Sequence, residues 1–328
     1  MPYPIITPSY FQELAEDKTL EEKVQYNILT SPSAVEYVFP IYQKPLIRKL
    51  MSIDGILSFK MTNLKPEHEA EFAKQGEELV KKFPQLKHYW EFKVLTMQIL
   101  QNRNFVFEKR MLLLNYAYKT LQGMLDKTSG EEQGKYIATF LRDMNVPKNQ
   151  DAVMKYFESI TPNFAYSLCD GLSLLRALPT SEGYDKLLDT VFSNVKCDRA
   201  MREFKYDDKV YMPMKKAYHE DFLKNGREHY IEQVMVNYVW TYCMPYADCT
   251  SNLWDNFIFF NTLFNTIKVL LTCATYNAED KDEAFVNAIS EFDSALRRTK
   301  GSIVKLIAAA NAKEGLATNG DMAILSMS

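Results

Sequence analysis

The residues that could do chemistry are few and scattered. His219-Glu220 begins like the zinc-protease helix, in which two imidazoles one turn apart clamp the metal beside a glutamate base. Position 223 is Leu, so the second imidazole is missing and a surface His-Glu is the plain reading. His68, His88 and His229 lie far from it in sequence. Cys243 and Cys249 flank Met244-Pro245-Tyr246 at a spacing that suits neither a finger nor a ribbon. They read as small buried hydrophobes before they read as a metal or redox pair. Asp198, Asp207 and Asp208 sit in a charged stretch, where carboxylates are ordinarily solvated rather than tuned for acid–base work. Asn237 stands within a strongly apolar pattern, so its amide is expected to be buried and must find partners. Structural hydrogen bonding and ligand contact are the two readings of it. Arg103, Glu108 and Arg110 surround a helix start, where a cap with local ion pairing is expected. No Gly-x-Gly-x-x-Gly or Gly-x-x-x-x-Gly-Lys segment occurs, which argues against a phosphate-cradling loop.

The elements that must position these residues read as helices. Glycine is scarce, 11 in 328 residues, which disfavours hairpins and a nucleotide-binding sheet. Hydrophobic residues make up 47% and aromatics 13%, enough for a sizeable core rich in rings. The Met- and Tyr-rich run Met111 to Tyr118 reads as core rather than as a peptide groove. A net charge of −3 gives no bulk attraction to nucleic acid or anionic membrane. The five cysteines are odd in number and include no Cys-x-x-Cys pair, and no secretory signal is visible, so reduced thiols in a cytoplasm are expected. The most membrane-like stretch, 256–274, contains Asn261, Asn265 and Lys268, which would be costly in lipid, and it reads as a buried helix rather than a span.

The reading along the chain is all-α in the main, a multi-helix globular protein with at most a small hairpin near 50–61 around Asp54-Gly55. Residues 1–18 look irregular or briefly helical. Thr19-x-x-Glu22 and Ser33-x-x-Glu36 read as capping boxes opening short helices, and Pro40 and Pro45 limit any helix beyond them. Helices are expected from Pro66 to Lys82, Leu86 to Leu100, Phe107 to Leu125, Glu131 to Asp143, Ala152 to Ser159, Phe164 to Leu178 and Tyr184 to Val195. Residues 196–215 read as a surface loop or lid. A long helix follows from Glu220 to Tyr242, then one from Leu253 to Ala274 capped by Asn252, then a helix or helix pair from Ala284 to Ala312 with Gly301 as a break. Residues 1–125 and 126–315 form N- and C-terminal helical parts, separate or continuous, and 316–328 a mobile tail.

Two stretches carry a resemblance. Leu95 to Leu114, with Gln101-Asn102-Arg103 followed by Glu108-Lys109-Arg110 and a leucine run, is similar to the flagellin lysine-N-methylase (FliB) family. So is the segment from Tyr230 through Asn237-Tyr238 and Met244-Pro245 into Leu253 to Ala274, although Met244 stands where the family pattern has Phe. A weaker echo is Leu29-Thr30-Ser31-Pro32-Ser33-Ala34, with Ser31 in a cysteine position. The resemblance implies S-adenosylmethionine as methyl donor and a protein lysine, of flagellin or another protein, as acceptor. The family's N-terminal segment is cysteine-rich, a set suited to iron–sulfur ligation, whereas this chain has no cysteine before Cys169 and serine cannot replace thiolate there. The resemblance then implies a relative that has lost the cluster, works without one or needs a separate partner. No catalytic motif carries over from the matching segments. Asn237, Tyr238 and Asp255 are the catalytic candidates, on buried-polar and helix-terminus arguments alone. The alternatives to the enzyme are a non-catalytic helical protein-binding module derived from the family and an unrelated helical scaffold.

Overall fold

A computed structural model describes residues 3–20, 24–201, 204–247, 252–299 and 318–328. Among them the protein is mainly α-helical, with one small sheet. The helices are α1 (Phe11–Glu16), α2 (Lys44–Met51), α3 (Pro66–Lys82), α4 (Tyr89–Leu100), α5 (Phe107–Lys127), α6 (Gly130–Met144), α7 (Pro147–Tyr156), α8 (Phe164–Ala177), α9 (Glu182–Asn194), α10 (Asp208–Leu223), α11 (Glu228–Thr241), α12 (Leu253–Ala274), α13 (Lys281–Arg298) and α14 (Asn319–Met327). The strands are β1 (Pro4–Pro8), β2 (Asn27–Thr30), β3 (Val35–Val38) and β4 (Phe59–Asn63), in the order β2-β3-β1-β4.

The N-terminal quarter departs most from the expectation. The hairpin near 50–61 does not form: Pro45 sits in the first turn of α2, where a missing N–H is harmless, and Leu46, Ile47 and Leu50 pack inward. The strand that follows pairs instead with β1, antiparallel, with Ile5 opposite Thr62 and Ile6 opposite Met61. The helix expected from Ser33-x-x-Glu36 is strand β3, rich in Val and Tyr, which suit a pleated surface. Its would-be capping carboxylate, Glu36, goes to the Lys93 ammonium at 2.6 Å in a fully buried ion pair. The short helix after Thr19 would have ended in what is β2, and its capping partner Glu22 lies outside the described residues. Ser31 closes the β2–β3 turn, its hydroxyl accepting from the Ala34 N–H at 2.9 Å.

The helical part follows local periodicity closely. At the centre lies α12, with every residue except Asp255 buried, the mark of a helix surrounded by others. By length and composition it is long and apolar enough to cross a membrane, but here it is the core helix. It packs against α5, α8, α9, α10, α13 and α14. The approach of α8 is close because Gly171 has no side chain: a Cβ there would stand 2.8 Å from the Val269 side chain. One hydrophobic cluster includes side chains from Ile6 to Leu325.

Three further segments differ. The expected loop at 196–215 becomes helical from Asp208 despite Pro213, because Tyr211, Met214, Tyr218 and Phe222 recur on one face and bury it. The Glu220 to Tyr242 helix is two helices, α10 and α11, parted at Gly226, whose φ of 75° is a left-handed turn. Residues 319–327 of the expected mobile tail are helical. Met322, Ala323 and Leu325 are fully buried, and Asn261 of α12 binds the helix by donating to the Met322 carbonyl and accepting from Ser326. Gly301 and the stretch to Ala312 lie outside the described residues.

Candidate functional site

The three candidates from sequence occupy separate environments. Asn237 on α11 is buried, and its carbonyl oxygen accepts from the Tyr10 hydroxyl at 2.8 Å. Its amide donates to Thr241 Oγ1 at 3.2 Å and the Phe39 carbonyl at 3.4 Å, so it ties α11 to the N-terminal segment. Tyr238 is fully buried beside Tyr242, which donates to Asp293 at 2.9 Å. Arg297 pairs with that carboxylate at 2.7 Å, while burial raises the Asp293 pKa. Asp255 lies in the first turn of α12, its N–H bound by the Asn252 side chain, and burial raises its pKa against the pull of Lys119. No hydrogen bond or ring contact among the described residues joins any two of the three.

The motif around the start of α5 splits into two roles. Arg103 and Arg110 do not pair locally. Both converge on Glu232 of α11, which is 1% exposed. Arg103 reaches it at 2.9–3.1 Å and Arg110 at 2.5 Å, and Arg110 also donates to the carbonyls of Leu100 and Phe105. Two guanidinium forks on one buried carboxylate lock the α4–α5 turn onto α11. Glu108 points elsewhere, into a cavity.

That cavity, of about 300 Å³, lies between the start of α5, α8, α10, α12 and the end of α14. Its polar lining residues are Glu108, Ser167, Lys215, His219, Lys268, Thr272 and Ser328; Phe164, Tyr211 and Tyr218 supply rings. Lys268 is buried and donates to the Ser326 carbonyl at 3.0 Å. Lys215 donates to the backbone oxygen of Ser328, and its Nζ stands 3.9 Å from the centre of the Phe164 ring. Both amines thus cap the carbonyl end of α14, where the helix dipole favours positive charge. Burial outweighs that attraction. It lowers the Lys215 pKa to about 7, with Lys268 adding repulsion and Glu108 opposing. Burial likewise lowers Lys268 to about 8, again against Glu108. No Asp or Glu side chain among the described residues is paired with either amine. Burial raises the phenols of Tyr211 and Tyr218, which therefore stay protonated. His219 stands at the exposed rim, and its neighbour Glu220 pairs with Lys224 at 2.9 Å, as a surface His-Glu would.

Sequence reasoning did not assemble this cavity. One local signal was present: a lysine in the otherwise apolar pattern of α12.

The sequence model of the FliB lysine N-methylase C-terminal domain matches residues 93–325. The chain belongs to the FliB lysine N-methylase family. No curated protein and no solved structure matches it. The family match includes the cavity except for Met327 and Ser328, and it includes the Arg103–Glu232–Arg110 lock.

The family's two associated groups fare differently against these residues. An iron–sulfur cluster needs accessible thiolates. Burial raises the thiols of Cys169, Cys197 and Cys273, the direction opposite to that of a metal ligand, and no group of three or more His, Cys, Asp and Glu side chains among the described residues is placed to hold a metal. Cys249 lies outside the described residues. These thiols do not fit a cluster. S-adenosylmethionine asks for a carboxylate facing its sulfonium and flat apolar walls; the cavity lining includes Glu108 and three rings, while the buried Ser167 hydroxyl is already donated to Asn265 Oδ1 at 2.5 Å.

Proposed function

We propose that this FliB-family protein is a protein-lysine N-methyltransferase and that the Glu108–Lys215–Lys268 cavity is where the amine reacts. What supports the reading is the family match over residues 93–325 together with a cavity inside it that brings Lys215 and Lys268 beside Glu108 and the rings of Phe164, Tyr211 and Tyr218; burial lowers both lysine pKa values, to about 7 and 8. A methyl acceptor must offer a lone pair. A free lysine of pKa about 10.4 is neutral at pH 7 in only about one molecule in 2,500. An acceptor lysine entering the same desolvated, positively charged space meets the same two forces and loses its proton near neutral pH.

S-adenosylmethionine, when bound, supplies an electrophilic methyl group. Glu108 would face its positive sulfur, and Phe164, Tyr211 and Tyr218 its flat base. The rings keep water from the amine and guide the apolar lysine stem, which leaves the nitrogen free to approach in line. The family makes flagellin the first acceptor to try. A cytoplasmic setting suits the free thiols of Cys169, Cys197 and Cys273.

The test is mass spectrometry of purified flagellin incubated with the full chain and S-adenosylmethionine, counting increments of about 14 Da per methyl on lysine. New increments over a control without the protein are expected. Flagellin that binds the chain but gains no mass would overturn the enzyme reading and favour a binding module.

A further inference from the structure

We infer that α14 is a releasable strap: docked, it closes one side of the cavity, and it undocks as a unit while the helices beneath it stay folded. The strap does not depend on methyl transfer. A helix of nine residues is too short to persist in water by itself, so α14 is helical because of what it rests on. Its apolar hold is small. Met322, Ala323 and Leu325 are fully buried, on a bed made by α5, α8 and α12. By contrast, α12 is buried along nearly its whole length. The rest of the hold on α14 is polar. Asn261 donates to the Met322 carbonyl at 2.9 Å and accepts from the Ser326 hydroxyl at 2.7 Å. Lys268 donates to the Ser326 carbonyl at 3.0 Å, Lys215 to the Ser328 oxygen, and the Asn163 N–H to the Ser328 hydroxyl at 2.7 Å. These last three grip the end of the helix, whose carbonyls lack partners within it. Water replaces such bonds when a segment lifts, so each adds little net hold. Few apolar anchors and many replaceable hydrogen bonds mark a segment that opens before the core does.

The same contacts build the cavity. Met327 and Ser328 line it, and so do Lys215 and Lys268, the two side chains that latch the last turn. Lifting α14 therefore removes a wall and frees both amines at once. Lys268 exchanges the Ser326 carbonyl for water. Lys215 loses the Ser328 oxygen and keeps the Phe164 ring, whose centre is 3.9 Å from its Nζ. Docking of α14 and closure of the cavity are one equilibrium, and whatever binds the closed cavity tightens the strap.

Hydrogen exchange of the full chain, read by peptide mass spectrometry with no ligand present, tests this. In wild type the α14 amides should exchange about 100-fold faster than those of α12, with little dependence on dilute urea, as in a local opening. Exchange of both helices at one rate with one urea dependence would overturn the strap. K215M should speed exchange in α14 about 3–10-fold, the scale of one lost hydrogen bond, and leave α12 unchanged. An unchanged α14 rate would overturn the part of Lys215 as a latch. Leu325→Asp should strip protection from α14 while α12 keeps its own. Joint loss in both helices would make α14 a piece of the core and sink the inference. In the same variant, brief acetylation should label Lys268 about 10-fold faster than in wild type, because its cover is gone. Labelling no faster than in wild type would show that α14 does not close the cavity. Flagellin methylation is read in a separate assay, so failure of the methyltransferase reading leaves each of these outcomes as it stands.

Discussion

Removing the Glu232 carboxylate should destabilise the protein far more than one surface ion pair would. Glu232 is 1% exposed and receives hydrogen bonds from both Arg103 and Arg110. Arg110 is itself buried, and burial pulls its pKa down while Glu232 holds it up. Glu232→Gln keeps the shape and removes the charge, leaving one buried guanidinium without a counter-ion. Breaking a buried pair in this way costs about 3–5 kcal/mol, whereas an exposed pair is worth at most about 1 kcal/mol. An unfolding entropy of about 2.1 cal/mol/K per residue comes to roughly 0.7 kcal/mol/K for a chain of 328 residues. The expected fall in Tm is therefore about 4–7 °C. Circular dichroism at 222 nm through a thermal ramp measures it, and urea unfolding should show a lower midpoint with an unchanged slope. A fall below about 1 °C, the scale of an exposed pair, would refute the claim that this carboxylate locks the α4–α5 turn to α11. Recovery of stability in R110M/E232M, which leaves no buried charge at the pair, would support it further.

Gly171→Ala should cost about 1–3 kcal/mol, read as a lowered urea midpoint, because its Cβ would meet Val269 at 2.8 Å; V269A in the same chain should restore part of the loss. Asn237→Ala should cost about 1–3 kcal/mol by stranding the Tyr10 hydroxyl, and a double-mutant cycle with Tyr10→Phe should show coupling near 1 kcal/mol. Lys268→Met should stabilise the fold at pH 7 by on the order of 1–3 kcal/mol. Folding lowers the Lys268 pKa from 10.5 to about 8, so between those values the unfolded chain binds the extra proton and wild-type stability rises with pH. The advantage of K268M should accordingly shrink from pH 8 to pH 10.5 in parallel thermal melts, and a constant difference across that range would refute the assignment.

Local pattern carried the long helices. Leu253 to Ala274 and Phe107 to Lys127 repeat apolar residues at helical spacing, and the cap at Asn252 and the prolines at 66 and 245 mark their neighbours' ends. The family resemblance was legible for the same reason, since its two main stretches are contiguous segments within 93–325, while the weaker echo at Leu29 to Ala34 lies outside the matched residues. The sheet was not legible, because β1 pairs with β4 more than 50 residues away and strands of four or five residues carry little pattern of their own. Glu36 illustrates the limit. Its spacing from Ser33 is that of a capping box, yet a lysine 57 positions on supplies a full charge in a buried place, and that partner outcompetes a backbone N–H. The same holds for Arg103 and Arg110, whose shared carboxylate lies beyond position 230. The cavity goes further still: Glu108, Lys215 and Lys268 come from three helices, and no local pattern brings the three together. The sequence by itself determined where most helices run and which family the chain resembles, because those depend on periodicity and contiguous motifs. Tertiary structure alone decided the surroundings that pull the two cavity lysines' pKa values down, because desolvation is set by what packs around a charge and not by the residues beside it in the chain.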